Sequence, residues 1–318
     1  MDISVIGCGR WGSFIGWYLD KIGHSITLYG REGSRHLKQF LDTRSNGLLT
    51  LGDRVNLTSD LGLAAKPDYI VISIESQGLR GLMENLSEFD LHGKTFVLCM
   101  KGIEISTGKR LSEVAAEFLD YSNRIAVWLG PGHVQEFVRG IPNCMVIDSE
   151  DETLKEKLVS MFSSDLIRFY YGTDLIGNEI GAAAKNVVGI AAGMLDGLNL
   201  SSLKGALMSR ATREIARLIK ALGGNELSAY GLCHLGDYEA TVFSEFSHNR
   251  KFGEAFVKGE EYRELAEGYY TVKALIRISE QYKVELPICM AVYQVLYGHA
   301  NIRDALNGLF LRSIKQEF

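Results

Sequence analysis

Short apolar runs alternate with helical stretches along the first half of the chain, and then the alternation stops. Ile3-Ser4-Val5-Ile6 marks a strand over 2–6. Comparable runs rich in β-branched residues fall at 25–29, 69–73, 95–99, 125–129 and 143–147, with a weaker one at 166–170. Amphipathic stretches separate them, the first reaching Ile22. Such βαβ alternation predicts parallel strands covered by helices. Ligands of an open sheet of this kind gather beyond the carboxyl ends of its strands. The loops that begin at Ser73, at Met100-Lys101-Gly102 and at Gly130-Pro131-Gly132-His133 are therefore expected to converge on one crevice.

Beyond about residue 172 the period becomes helical, at 174–197, 202–222, 226–232, 251–258, 270–282, 287–297 and 300–307. The expected fold class is α/β plus all-α. A Rossmann-like, mostly parallel sheet domain over 1–172 binds a dinucleotide, and an all-helical domain over 173–318 carries substrate and catalysis. No low-complexity linker separates them, which predicts a substantial interface covering a ligand laid on the first domain.

The dinucleotide follows from the first turn. Gly7-Cys8-Gly9-Arg10-Trp11-Gly12 is a G-x-G-x-x-G between a buried strand and an amphipathic helix. Gly7 permits the tight turn, Gly9 lets backbone approach a pyrophosphate, and Gly12 lets helix pack on strand. The free N–H groups of the helix start then face the phosphates, with Arg10 and Trp11 beside them. The second strand ends in Gly30-Arg31-Glu32, without the acidic residue an NAD-specific site usually places there. Small Gly30 leaves room for a phosphate and Arg31 can grip one in two-pronged fashion. Arg31 can equally be solvated or stack on an adenine. The cofactor is NADP(H) or NAD(H).

Composition narrows the class further. The 318 residues are 46% hydrophobic and 23% charged with a net charge of −5, which suits a soluble two-domain protein. No Lys/Arg run resembles a nucleic-acid footprint. The five cysteines have no metal-ligand spacing and an odd count, so no metal is expected and reduced thiols in the cytoplasm are. Residues 1–6 read as a strand without a charged leader. The most apolar stretch, Ile180 to Leu195, is too short to span a membrane and reads as a buried helix.

Within that stretch Lys185 is the only charged side chain. A desolvated ammonium is costly, so it needs an anionic neighbour, a route to water or a role in proton transfer. Asn186 beside it can donate or accept. Lys101 follows a hydrophobic strand at the ligand-binding edge. Asp237 follows a glycine, a position that also suits a turn or cap. His248-Asn249-Arg250-Lys251 collects donors ahead of Phe252-Gly253 and could hold a phosphate or simply be solvated.

Taken together these pieces resemble the NAD(P)-dependent sn-glycerol-3-phosphate dehydrogenase family along essentially the whole chain. The resemblance rests on the Gly7–Gly12 loop, Ser76-Gln77, Lys101-Gly102, Gly130-Pro131, Glu136, Ala184-Lys185-Asn186-Val187, Leu235-Gly236-Asp237, Asn249-Arg250-Lys251-Phe252-Gly253 and Glu267-Gly268. It implies reversible reduction of dihydroxyacetone phosphate, a small phosphorylated substrate, by a homodimer. Lys185 matches the family's catalytic lysine, Asp237 the carboxylate that holds it, and Lys101 a second lysine near carbonyl and cofactor. Asn186, Thr241 and Asn249 match substrate positions, and Glu267 matches a cofactor position. The chain departs from the family at His248, where Arg is usual, which predicts weaker, pH-dependent phosphate binding with Arg250 as a substitute. It also departs at Glu75, Leu129, Gly132, Ser202-Leu203 and His234. Those departures leave two alternatives, another phosphorylated or acidic ketone, or a non-catalytic cofactor-binding regulator.

Overall fold

The computed structural model describes residues 1–314 and 316. Its eight strands are β1 (Asp2–Ile6), β2 (Ser25–Tyr29), β3 (Asn56–Thr58), β4 (Tyr69–Ile72), β5 (Thr95–Leu98), β6 (Arg124–Leu129), β7 (Asn143–Asp148) and β8 (Ile167–Tyr171). They form one sheet in the order β3-β2-β1-β4-β5-β6-β7-β8. Every neighbouring pair is parallel except β6 and β7, where Trp128 lies opposite Ile147 in antiparallel register. The expected strands are present, and the short edge strand β3 is an addition. Its sequence is mostly polar and its partner is only β2, so it carries no buried-strand signature.

Seven helices accompany these strands: α1 (Arg10–Lys21), α2 (Arg35–Thr43), α3 (Leu61–Ala64), α4 (Leu79–Leu86), α5 (Leu111–Ala116), α6 (Val134–Val138) and α7 (Glu152–Phe162). Alternate residues of the central strands feed opposite cores. Tyr69, Val71 and Val97 pack with Phe14, Tyr18 and Trp128 on one face. Ile70, Ile72, Phe96 and Leu98 pack with Met83 and Val114 on the other. The strand order reverses between β1 and β4, which places a crevice at their carboxyl ends.

The remainder is helical: α8 (Leu175–Gly197), α9 (Lys204–Ala221), α10 (His248–Lys258), α11 (Glu267–Tyr282), α12 (Pro287–Tyr297) and α13 (Ile302–Phe310). α8 is buried without a break from Gly177 to Leu195. Its small residues admit a neighbouring backbone. A Cβ on Gly193 would collide with the carbonyl of Arg250, and one on Gly253 with the carbonyl of Ile190. That close α8–α10 contact is what the small-residue stretch is for.

Two elements differ from expectation. The segment expected as a helix over 226–232 is a 3-10 turn over Glu226–Tyr230, and further short turns follow at Leu235–Asp237 and Glu239–Phe243. α10 begins at His248 rather than 251 because the Ser247 hydroxyl caps it, accepting from the Arg250 N–H. His248, Asn249 and Arg250 thus lie in the first turn of a helix, and Gly253 lies inside it. Among the described residues, no helix is long and apolar enough to cross a membrane.

Candidate active site

α8 belongs to the helical domain and Lys101 follows β5 of the sheet domain, yet their ammonium groups meet. The Lys185 Nζ lies 3.0 Å from Oδ2 of Asp237 and donates to the Thr241 hydroxyl at 2.8 Å. Lys101 Nζ donates to the same Asp237 oxygen at 2.6 Å and to the Gly130 carbonyl at 2.6 Å. Asp237 and Thr241 are each only 1% exposed, so the centre of this cluster is held away from water. The two short turns after His234 deliver Asp237 and Thr241 to it. Burial pushes Lys185 down to about 8; Asp237 opposes that shift and Lys101 adds to it. The ammonium therefore has an anionic partner, one carboxylate shared between two positive charges.

Asn186 and Asn249 form a relay beside the cluster. Gly268 N donates to Asn249 Oδ1 at 2.9 Å, Asn249 Nδ2 to Asn186 Oδ1 at 3.1 Å, and Asn186 Nδ2 to the Lys101 carbonyl at 2.9 Å. This chain of amides ties α11, α10 and α8 to the loop after β5. Glu267, the first residue of α11, bridges the domains as well. Its carboxylate accepts from Ser76 N at 3.0 Å and Ser76 Oγ at 2.6 Å, and burial raises its pKa.

Arg250 is engaged by internal partners. Its guanidinium lies 2.7 Å from Asp196 and donates to the Ser244 carbonyl at 3.0 Å. Asp196 sits about 16 Å further along α8 than Lys185. The salt bridge holds because both side chains are largely buried, where a charge-assisted pair is strong. His248 accepts or donates at 2.6 Å to the Tyr262 hydroxyl. Burial lowers its pKa, and nearby Arg10 lowers it further, which disfavours the cationic form.

The departures from the family pattern have local causes. Leu129 is buried in the sheet core, not in the crevice. A side chain at Gly132 would collide with the Phe137 ring. His234 is fully buried between the Gly181 carbonyl at 2.8 Å and the Tyr238 hydroxyl at 2.7 Å, and burial pushes its pKa down to about 4.

The glycine loop fits a dinucleotide. Gly7 adopts φ +115°, and any Cβ there would collide with the Ser73 carbonyl at the β1–β4 crevice. Gly12 touches the Gly7 carbonyl in the same way, whereas nothing lies within 4 Å of a Cβ on Gly9. That open space adjoins the first turn of α1, whose N-terminus has no side-chain cap. Arg10 is exposed there, and Trp11 packs against Phe14 and Phe137 with ring centroids 5.1 and 6.2 Å away. Arg31 is exposed at the end of β2. The room expected at Gly30 is already filled, since a Cβ there would meet Cys8 and Leu37. The sequence reading assigned no role to His133, although its place at the end of a strand loop was a signal.

Two family models describing the N-terminus and C-terminus of NAD-dependent glycerol-3-phosphate dehydrogenase match residues 2–155 and 174–307. A glycerol-3-phosphate dehydrogenase (NAD(P)+) of Thermoanaerobacter sp. is 35% identical over 334 residues, covering 100% of this chain and 99% of its own. One from Bradyrhizobium sp. is 36% identical over 321 residues, covering 99% and 98%. The crystal structure of the Coxiella burnetii glycerol-3-phosphate dehydrogenase superposes with a TM-score of 0.92 at 25% identity, covering 98% of this chain and 99% of that one.

Proposed function

Because this chain belongs to the NAD-dependent glycerol-3-phosphate dehydrogenase family, we propose that Lys185 is the acid and base of a ketone–alcohol interconversion. The enzyme is an NAD(P)-dependent oxidoreductase interconverting dihydroxyacetone phosphate and sn-glycerol 3-phosphate. When bound, the nicotinamide supplies or accepts the hydride. Gly7, Gly9, Arg10, Trp11 and Gly12 would hold its pyrophosphate half, and Arg31 a 2′-phosphate where one is present.

During reduction, negative charge grows on the ketone oxygen. The Lys185 ammonium meets that charge in a dry site, where electrostatic stabilisation is strong, and passes its proton to the oxygen. In the reverse direction the neutral amine takes the hydroxyl proton. Asp237 fixes the ammonium and Thr241 accepts one of its hydrogens, so the remaining N–H has a set direction. Lys101 adds a second positive charge. A pKa near 8 suits a group that must both give and take a proton close to neutral pH.

The observation carrying this reading is the meeting of Lys185 and Lys101 on one oxygen of buried Asp237. Its test is turnover of dihydroxyacetone phosphate with NADPH or NADH, followed by nicotinamide absorbance. Lys185→Ala is expected to lose about a hundredfold or more in kcat. Full activity in that variant removes the assignment.

We place the enzyme in the cytoplasm as a homodimer that supplies glycerol 3-phosphate for phospholipid synthesis. Five free cysteines support a reducing compartment, and the family supports the dimer. Light scattering of the purified chain tests the dimer, and a monomer at micromolar concentration refutes it.

A further inference from the structure

The substrate reading leaves one group at the crevice without a task. Among the described residues, five buried side-chain atoms have no hydrogen-bond partner, and two come from one short stretch: Nε2 of His133 and Oε1 of Gln135. Buried polar atoms are nearly always paired, so an orphan beside the crevice marks a place where a partner is expected to arrive. His133 is the N-cap of α6, three residues after the Gly130 carbonyl that Lys101 holds. Its ring stands edge-on to Phe246 of the helical domain, with centroids 5.6 Å apart, so it lies across the mouth between the domains. The charges of Lys185, Asp237 and Lys101 all act on it. Lys101, which shares Asp237 with Lys185, holds the Gly130 carbonyl three residues before it, so His133 belongs to the same crevice.

We infer that His133 is a specificity-determining residue whose Nε2 pairs with the free hydroxyl on the carbon next to the ketone of the phosphorylated substrate. The chemistry selects that group over the others. Burial, followed by the Lys185 charge, lowers the imidazole pKa against Glu136 and Asp237, which disfavours the cation that clamping a phosphate dianion would need. A neutral ring has one nitrogen that donates and one that accepts. A hydroxyl can do either, so it satisfies Nε2 in both tautomers. With the carbonyl oxygen at Lys185, the hydroxyl one carbon away is the nearest remaining polar group of the substrate.

This assignment rests on the dihydroxyacetone phosphate reading, and the test separates the two. The cofactor-loaded enzyme is assayed with dihydroxyacetone phosphate and with acetol phosphate, which has the same ketone and phosphate but a methyl in place of the hydroxymethyl group. Wild type is expected to prefer the hydroxylated ketone by about tenfold or more in kcat/KM. His133→Phe keeps a ring against Phe246 and is expected to lose most of that preference, with activity on acetol phosphate nearly unchanged. His133→Gln, which returns an amide near the position of Nε2, is expected to recover part of it. A purely structural role would lower both activities together and leave their ratio alone, and that result overturns the assignment. If wild type turns over neither ketone, the substrate reading fails and the assignment with it. Should His133→Phe not fold, the ¹⁵N signal of His133 in wild type decides the matter. It must shift when glycerol 3-phosphate joins the NADP⁺-loaded enzyme and stay nearly still with 1,2-propanediol 1-phosphate. An identical response to both overturns the assignment.

Discussion

Nζ of Lys101 stands 2.6 Å from Oδ2 of Asp237, across 136 positions of sequence. The same oxygen is 3.0 Å from Nζ of Lys185, so one buried carboxylate offsets two ammonium groups. The site therefore exists only when the sheet domain and the helical domain are docked. It also carries an excess positive charge, which suits a place where an oxyanion forms.

Activity should report the depressed lysine directly. On the proposed role, reduction uses protonated Lys185, so its kcat/KM is expected to fall above about pH 8, tenfold per pH unit, while oxidation rises to a plateau over the same range. Asp237→Asn removes the charge that favours the ammonium, so both limbs should move to lower pH. Rate profiles in the two directions provide the check, and limbs that stay in place in that variant would sink the shared-carboxylate account.

Arg250 divides a binding role from a structural one. Replacement by alanine strips Asp196 of one of its partners but leaves Lys204 at 2.7 Å. The expected cost is about 2 kcal/mol of stability, with KM for the phosphorylated ketone changed less than twofold. Urea midpoints and steady-state kinetics measure the two quantities. A large rise in KM without loss of stability would restore the phosphate role.

Gly193→Ala sets two effects against each other. Alanine favours a helix interior by about 1 kcal/mol over glycine. Its methyl, however, would drive into the Arg250 carbonyl, backbone against backbone, where overpacking costs about 1–3 kcal/mol or more. Because the atoms it meets are backbone rather than the end of a flexible side chain, net destabilisation is expected in a denaturant titration. A stabilised variant would mean that α8 and α10 are less tightly apposed.

Glu214 makes stability pH-dependent from a distance. It is almost fully buried and accepts from Ile288 N at 2.8 Å and Cys289 N at 3.0 Å; burial pushes its pKa up to about 7. The folded chain thus holds this proton at pH values where the unfolded chain has released it. The resulting stabilisation is full below the unfolded value near 4.5 and is lost as pH rises through about 7, a change of about 3 kcal/mol by pH 8. Glu214→Gln should flatten the change. Urea midpoints of both proteins at pH 5.5 and pH 8 test this, and equal wild-type midpoints would refute it.

The local pattern was sufficient for much of this enzyme. Strand periodicity, the turn of Gly7 through Gly12 and the lone charge at Lys185 are set by neighbours within a few residues, where backbone sterics and burial act directly. Conclusions that depended on distant partners needed the fold. Arg250, in sequence either a candidate phosphate group or a solvated one, is engaged by Asp196, and the room read at Gly30 is occupied by Cys8 and Leu37. His248 stood in the sequence as a pH-dependent replacement for arginine, and burial together with Arg10 lowers its pKa.

Sequence alone thus determined the two-part architecture and singled out the glycine loop and the lone lysine of α8 as candidates, because hydrophobic periodicity and glycine geometry are short-range. Tertiary structure alone decided which cations remain available to a ligand. A charged side chain binds whichever opposite charge is nearest and driest, and that neighbour is chosen by packing between segments far apart in the chain.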